Sequence, residues 1–128
     1  MSGVKQVIAV RKDLQMRKGK LAAQVAHASM KFLLENNMGE DLTHLNVELN
    51  PVEIEWLNTG HAKIVVSVDS EDELRDLIFL AKIKNIEVNE IIDQGRTEFH
   101  GVPTLTCAAI GPERSEIIDE VTKHLKLM

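Results

Sequence analysis

The chain has 128 residues, 44% of them apolar, with a formal net charge of −5 and one cysteine. That length supports one domain with a real core, and that apolar fraction excludes a disordered chain. No apolar run approaches the eighteen or so residues of a membrane span. The opening MSGVKQVIAV breaks off at Arg11, Lys12 and Asp13 and is not a signal peptide. Lone Cys107 excludes an internal disulfide framework and fits a reducing, cytoplasmic setting. The charge is unevenly spread. Residues 1–31 carry seven Lys or Arg against one acid, and the rest carries eight against nineteen. A local basic patch is the footprint of a phosphate-bearing partner, although a solvated region salt-bridged to the acidic remainder reads equally well from charge alone.

Val4–Val10 is a short β-branched run and reads as a strand. A loop dense in cations follows, and a long helix begins at Gly19 or Lys20 and ends near Asn36, where Asn36, Asn37 and Gly39 stop it. Leu21, Ala22, Val25, Ala26, Ser29, Phe32 and Leu33 recur at helical spacing, which predicts a mostly buried helix. Lys20, Gln24, His27 and Lys31 form one narrow polar stripe on it, facing water or a cleft. Asn50-Pro51-Val52-Glu53 starts a short helix that ends near Gly60. Ile64–Val68 is a second strand, and Ser70-Glu71-Asp72-Glu73 caps a further helix buried through Leu74, Leu77, Ile78 and Ala81. Ile86–Ile92 and Thr104–Ile110 are strands, and a last helix carries Ile117, Ile118 and Val121.

The order β–α–α–β–α–β–β–α predicts a single α/β domain over 1–128. Its core is a four-stranded mixed sheet with helices on both faces, the fourth strand antiparallel. Ligands of open α/β sheets sit off the carboxyl ends of the parallel strands. Three segments converge there: Arg11–Lys20 after the first strand, Asp93–Thr97 after the third, and Thr104 and Thr106 opening the fourth.

The helix start, with Gly19 and Lys18, is a natural anion site. No Walker pattern or nucleophile elbow is present, and the five histidines show no metal-ligand spacing, so neither a cofactor nor a metal is expected. His27 is suited to moving a proton, or is a satisfied histidine beside the sheet. Asp93 closes an apolar strand, where a carboxylate needs a partner or a task, or else caps a turn before Gly95. Thr97, Thr104 and Thr106 also read as plain strand threonines, and Cys107 as inert core.

The run KGKLAAQVAHAS (18–29) resembles the type 2 peptidyl-tRNA hydrolases. KQVIAVRKDLQM, DQGRT (93–97), TLTCAAIGP (104–112) and HLKLM (124–128) match in the same order. The resemblance implies a metal-independent α/β hydrolase, often dimeric, that cleaves the ester between a peptide and the 3′ end of tRNA and so recycles tRNA from stalled translation. The matching active-site positions are Lys18, Gln24, His27, Asp93, Thr97, Thr104 and Thr106. On this view Asp93, with Thr97 or His27, activates water, and Lys18 stabilises the oxyanion or grips the terminal phosphate. Arg11, Lys12, Arg17, Lys20 and Lys31 hold the tRNA backbone. Two departures stand out: Arg17 occupies a position typically glycine, and the loop EFHGVP is about one residue longer than the family pattern. Two other readings are a non-catalytic RNA-binding module on the same scaffold and a small-molecule hydrolase.

Overall fold

The computed structural model describes residues 3–35 and 43–128. The proposed helix stop at Asn36, Asn37 and Gly39 lies outside them. Among the described residues, nine strands and α-helices follow in order: β1 (Val4–Arg11), α1 (Lys18–Leu34), α2 (Pro51–Asn58), β2 (Lys63–Val68), α3 (Glu71–Ile83), β3 (Val88–Asp93), β4 (Thr104–Arg114), α4 (Ser115–Thr122) and β5 (Lys126–Leu127). The sheet runs β3-β4-β1-β2-β5. β1 and β2 are parallel, and β4 is antiparallel to both β1 and β3.

The sheet therefore has five strands, not four. β5 pairs antiparallel with the outer edge of β2 through Val66 with Leu127 and Ser67 with Lys126. A two-residue, exposed edge strand has no apolar run or alternation by which to be recognised. α1 starts at Lys18, one residue before the earliest expected start, and two strand boundaries differ from the sequence reading by more than one residue. β3 begins at Val88, because Ile86 closes the turn after α3, its N–H bonded to the Ala81 carbonyl at 2.9 Å. β4 continues through Gly111-Pro112 to Arg114, where Val4 pairs with Arg114 and Lys5 with Glu113.

β1 lies in the middle of the sheet and alternates its side chains between two cores. Val7 and Ala9 point to α3 and α4, joining Leu74, Leu77, Ile78, Ile118 and Val121. Ile8 and Val10 point to α1, joining Ala28, Cys107 and Ala109. Val4, Phe32 and Trp56 pack α2 beside α1. Caps begin two of the helices. Asn50 and Glu53 form the reciprocal box at 2.8 and 2.9 Å. At α3, Ser70 accepts from the Glu73 N–H, while the Glu73 carboxylate reaches past it to the Asp69 N–H. Each such cap contributes about 1 kcal/mol.

A buried polar pair fixes α1 against the sheet. The Ser29 hydroxyl donates to Gln6 Oε1 at 2.6 Å, and Gln6 Nε2 donates to the Ser29 carbonyl at 3.2 Å. Such a pair sets the height and rotation of the helix, because any slip leaves buried polar atoms unpaired. Among the described residues, no helix is long and apolar enough to cross a membrane.

Candidate active site

The polar stripe of α1 lies along β3. Lys20 Nζ donates to Asp93 Oδ1 at 2.8 Å and to Thr97 Oγ1 at 3.1 Å. Gln24 Nε2 reaches the same Asp93 oxygen at 3.4 Å. The other side of the Gln24 amide is held by the Thr106 hydroxyl, which donates to Oε1 at 2.5 Å. Further along, Lys31 Nζ donates to the Glu90 carbonyl at 2.7 Å. One face of one helix thus cross-links to β3, to β4 and to the loop after β3.

Asp93 uses both of its oxygens. Oδ2 accepts from the Gly95 N–H at 2.9 Å, the turn-capping bond, while Oδ1 takes Lys20 and Gln24. Of the two readings of this acid, both hold at once. The Lys20 hydrogen bond is the main influence that holds the Asp93 carboxyl below the ordinary carboxylate range; burial opposes it, and Gly95, the Lys20 charge and Gln24 reinforce it. Lys20 and Asp93 side chains are each only 15% exposed, so the pair is poorly screened.

Around this pair opens a cavity of about 420 Å³ lined by Lys20, Gln24, His27, Asp93, Arg96 and Thr97, with Ile91, Ile92 and Gln94. A second cleft of about 600 Å³ adjoins it, sharing Arg96 and Thr97. Gly95 sits between the turn and the loop that follows. A Cβ there would lie 2.7 Å from the Val102 backbone, and φ is +80°. Both observations require glycine.

The expected site residues separate into three groups. His27, Asp93, Thr97, Lys20 and Gln24 meet around the first cavity. Thr104 lies opposite Asp93 in the strand register, its hydroxyl turned to the Val102 carbonyl. Thr106 is fully buried and cannot contact a substrate; what it touches is Gln24.

Lys18 is not in this assembly. It lines a different groove, of about 630 Å³, with Leu21, Ala22, Val25, Met30, Lys63 and Met128. Two residues along a helix is about a 200° rotation, so Lys18 and Lys20 leave opposite faces of α1. The cation beside Asp93 is Lys20, where Lys18 was expected. The stripe already carried this signal, since Lys20 shares its sector with Gln24 and His27 and Lys18 does not. The groove also corrects the picture of α1 as mostly buried. Its buried residues are Gln24, Ala28, Ser29 and Phe32, whereas Ala22, Ala23, Ala26 and Met30 are exposed.

Arg11 is engaged by the fold rather than left for a ligand. Its guanidinium binds Asp13 through Nε and Nη2, the Leu105 carbonyl through Nη1 at 3.1 Å, and Glu71 at 3.6 Å. Lys12 is exposed on the turn after β1. Arg17 is also exposed and pairs with Glu98 at 3.0 Å, tying the start of α1 to the loop after β3. Burial pushes the Cys107 thiol up to about 11, which suits an inert core residue. Among the described residues, no group of three His, Cys, Asp or Glu is placed to hold a metal.

Residues 4–128 match the family described as Peptidyl-tRNA hydrolase PTH2. The chain belongs to that family. It is 45% identical over 125 residues to the peptidyl-tRNA hydrolase of Methanopyrus kandleri, covering 97% of each chain. It is 40% identical over 126 residues to that of Methanocaldococcus jannaschii, covering 98% of this chain and 100% of the relative. The peptidyl-tRNA hydrolase of Saccharolobus solfataricus is 38% identical over 125 residues, covering 98% and 99%. A solved structure of a protein of unknown function from Agrobacterium tumefaciens superposes with a TM-score of 0.59 at 15% identity, covering 100% of this chain and 99% of that one. That likeness speaks to the fold alone.

Proposed function

We propose that this family member hydrolyses the ester that joins a peptide to tRNA, acting in the cytoplasm to return tRNA from stalled translation. The observation that carries the reading is the Lys20–Asp93 pair, with Thr97 and Gln24, at the carboxyl edge of the sheet. A module that only bound RNA would present its cations outward. It would have no use for a lysine held against a shielded aspartate.

Ester hydrolysis needs an oriented water and a place for negative charge on the carbonyl oxygen. Lys20 carries three N–H donors, and Asp93 and Thr97 take two. The third is directed to the oxyanion, the role that the sequence reading gave to Lys18. Asp93 holds Lys20 in place. Held below the ordinary carboxylate range, Asp93 is a weak proton acceptor at neutral pH, so it orients the water better than it deprotonates it. His27 opens on the same cavity and is the group positioned to receive the proton. Gln24, fixed by Thr106, holds the inner oxygen of Asp93 in register. Arg17 and Arg96 line the adjoining cleft and, with Lys12 exposed on the turn after β1, meet the phosphates, so binding weakens as salt rises.

The test is release of peptide from a peptidyl-tRNA substrate by the purified chain in EDTA. Hydrolysis is expected, with alanine at Lys20, His27 or Asp93 lowering it while the fold is unchanged. Tight tRNA binding without any peptide release would instead select the RNA-binding module.

A further inference from the structure

The ester of a peptidyl-tRNA lies on the ribose of the terminal nucleotide. With that ester at Lys20 and Asp93, the terminal base must sit within one nucleotide's reach of the cavity. The second cleft is the neighbouring space, and it contains what a nucleotide needs. Gln15, Arg17, Arg96, Thr97, Phe99 and His100 line it, and Arg96 and Thr97 belong to both cavities. The chain has three Phe, one Trp and no Tyr. Phe32 and Trp56 are buried between α1 and α2, and Phe79 projects from α3 on the opposite face of the sheet. Phe99 is thus the one phenylalanine or tryptophan ring of this chain that can meet a base at this site.

The loop holds Phe99 in an uncommon way. Phe99 and His100 both adopt left-handed backbone, with φ of 62° and 52°. Bulky residues rarely do so, and such strain persists only where the surroundings enforce it. Here they do: Gly101 N–H bonds the Gly95 carbonyl at 2.9 Å, Val102 N–H bonds the Phe99 carbonyl at 3.0 Å, and Arg17 clasps Glu98. On its other side the Phe99 ring faces Lys20, whose Nζ is 5.9 Å from the ring centroid.

Resting on the hydrolase reading above, we propose that the Phe99 ring is the stacking platform for the terminal base of the tRNA, with Arg96 at the adjoining phosphate. Phe99 is then a specificity-determining residue that makes the enzyme sense the base as well as the charged backbone. Aromatic residues are scarce in this chain, and the structure spends one of the few at the site.

The test uses two substrates, an N-acylaminoacyl-tRNA with its terminal nucleotide intact and the same molecule lacking only the terminal base. For the wild-type chain, kcat/KM is expected to fall about tenfold when the base is removed. Phe99→Leu is expected to lose about as much on the intact substrate and to be indifferent to the base. Phe99→Trp, which keeps a ring, retains the discrimination and controls for damage to the loop. Equal wild-type rates on both substrates overturn the proposal. So does a Phe99→Leu variant that is slower on both yet still discriminates, which would assign the ring to holding Lys20. A wild-type chain that releases peptide from neither substrate overturns the hydrolase reading itself, and the stacking proposal with it.

Discussion

The two flanks of α1 are one helix turned toward two unlike surroundings. On the β3 side, Lys20, Gln24 and Lys31 all end on named oxygens of the sheet or of the loop beside it. On the β2 side, Leu21, Ala22, Val25 and Met30 line an open apolar groove in which Lys18 and Lys63 are the charged residues. The polar flank is pinned and the apolar flank is not. The lesson concerns residue types: a lysine's role here is set by its angle around the helix, since the same side chain two positions apart lands in a shielded ion pair or on an open surface.

That contrast can be broken in order of expected effect. Asp93→Ala strips the polar flank of its anchor and leaves Lys20 unpaired; peptide release should fall by about 10²–10⁴-fold in single-turnover assays. Lys20→Ala should follow closely, at about 10²–10³-fold. Lys18→Ala, on the other flank, should change the rate by less than about threefold. A Lys18 loss as large as that of Lys20 would erase the distinction between the flanks.

A subtler change reaches the same flank from behind. Thr106→Val removes the donor that holds Gln24 without touching the cavity, and about a tenfold loss in kcat at little-changed KM is expected. Ser29→Ala loosens the helix itself, leaving buried Gln6 short of a partner. Chemical denaturation should show a loss of about 1–3 kcal/mol.

The pH response sharpens the comparison further. Asp93 is held below its ordinary value, so its contribution to stability is complete above about pH 4 and is lost as pH falls through the lowered folded value. Lys20→Met removes the largest influence holding it down, and the Asp93 carboxyl should then titrate at higher pH. Carboxyl-carbon NMR of the two proteins measures the difference, and an unmoved titration would mean that Gly95 and Gln24 alone set it.

Much of this was legible in the sequence where local chemistry and periodicity agree. The stripe 20-24-27-31, the capping box at Asn50, the Ser70 side-chain cap and the antiparallel fourth strand all rest on short-range rules, and the strand register brings Asp93 opposite Thr104 as the edge argument required. What was not legible depends on partners distant in sequence. β5 is too short to show a pattern and forms because β2 has an open edge. Arg11 reads as a free cation until Leu105 and Glu71 arrive beside it. Thr106 reads as a strand threonine until Gln24 is packed over it. Motif position points to Lys18, and only the angle around the helix points to Lys20.

The crowding at Gly95 carries a lesson for anyone diversifying this protein. One extra methyl group there would press on the Val102 main chain from 2.7 Å, on a backbone whose φ is +80°. The same residue's amide holds the outer oxygen of Asp93. A library that varies position 95 should therefore return glycine almost alone, and its failures should look like dead enzymes rather than unfolded ones: a single hydrogen atom, where other residues have a side chain, keeps the aspartate aimed.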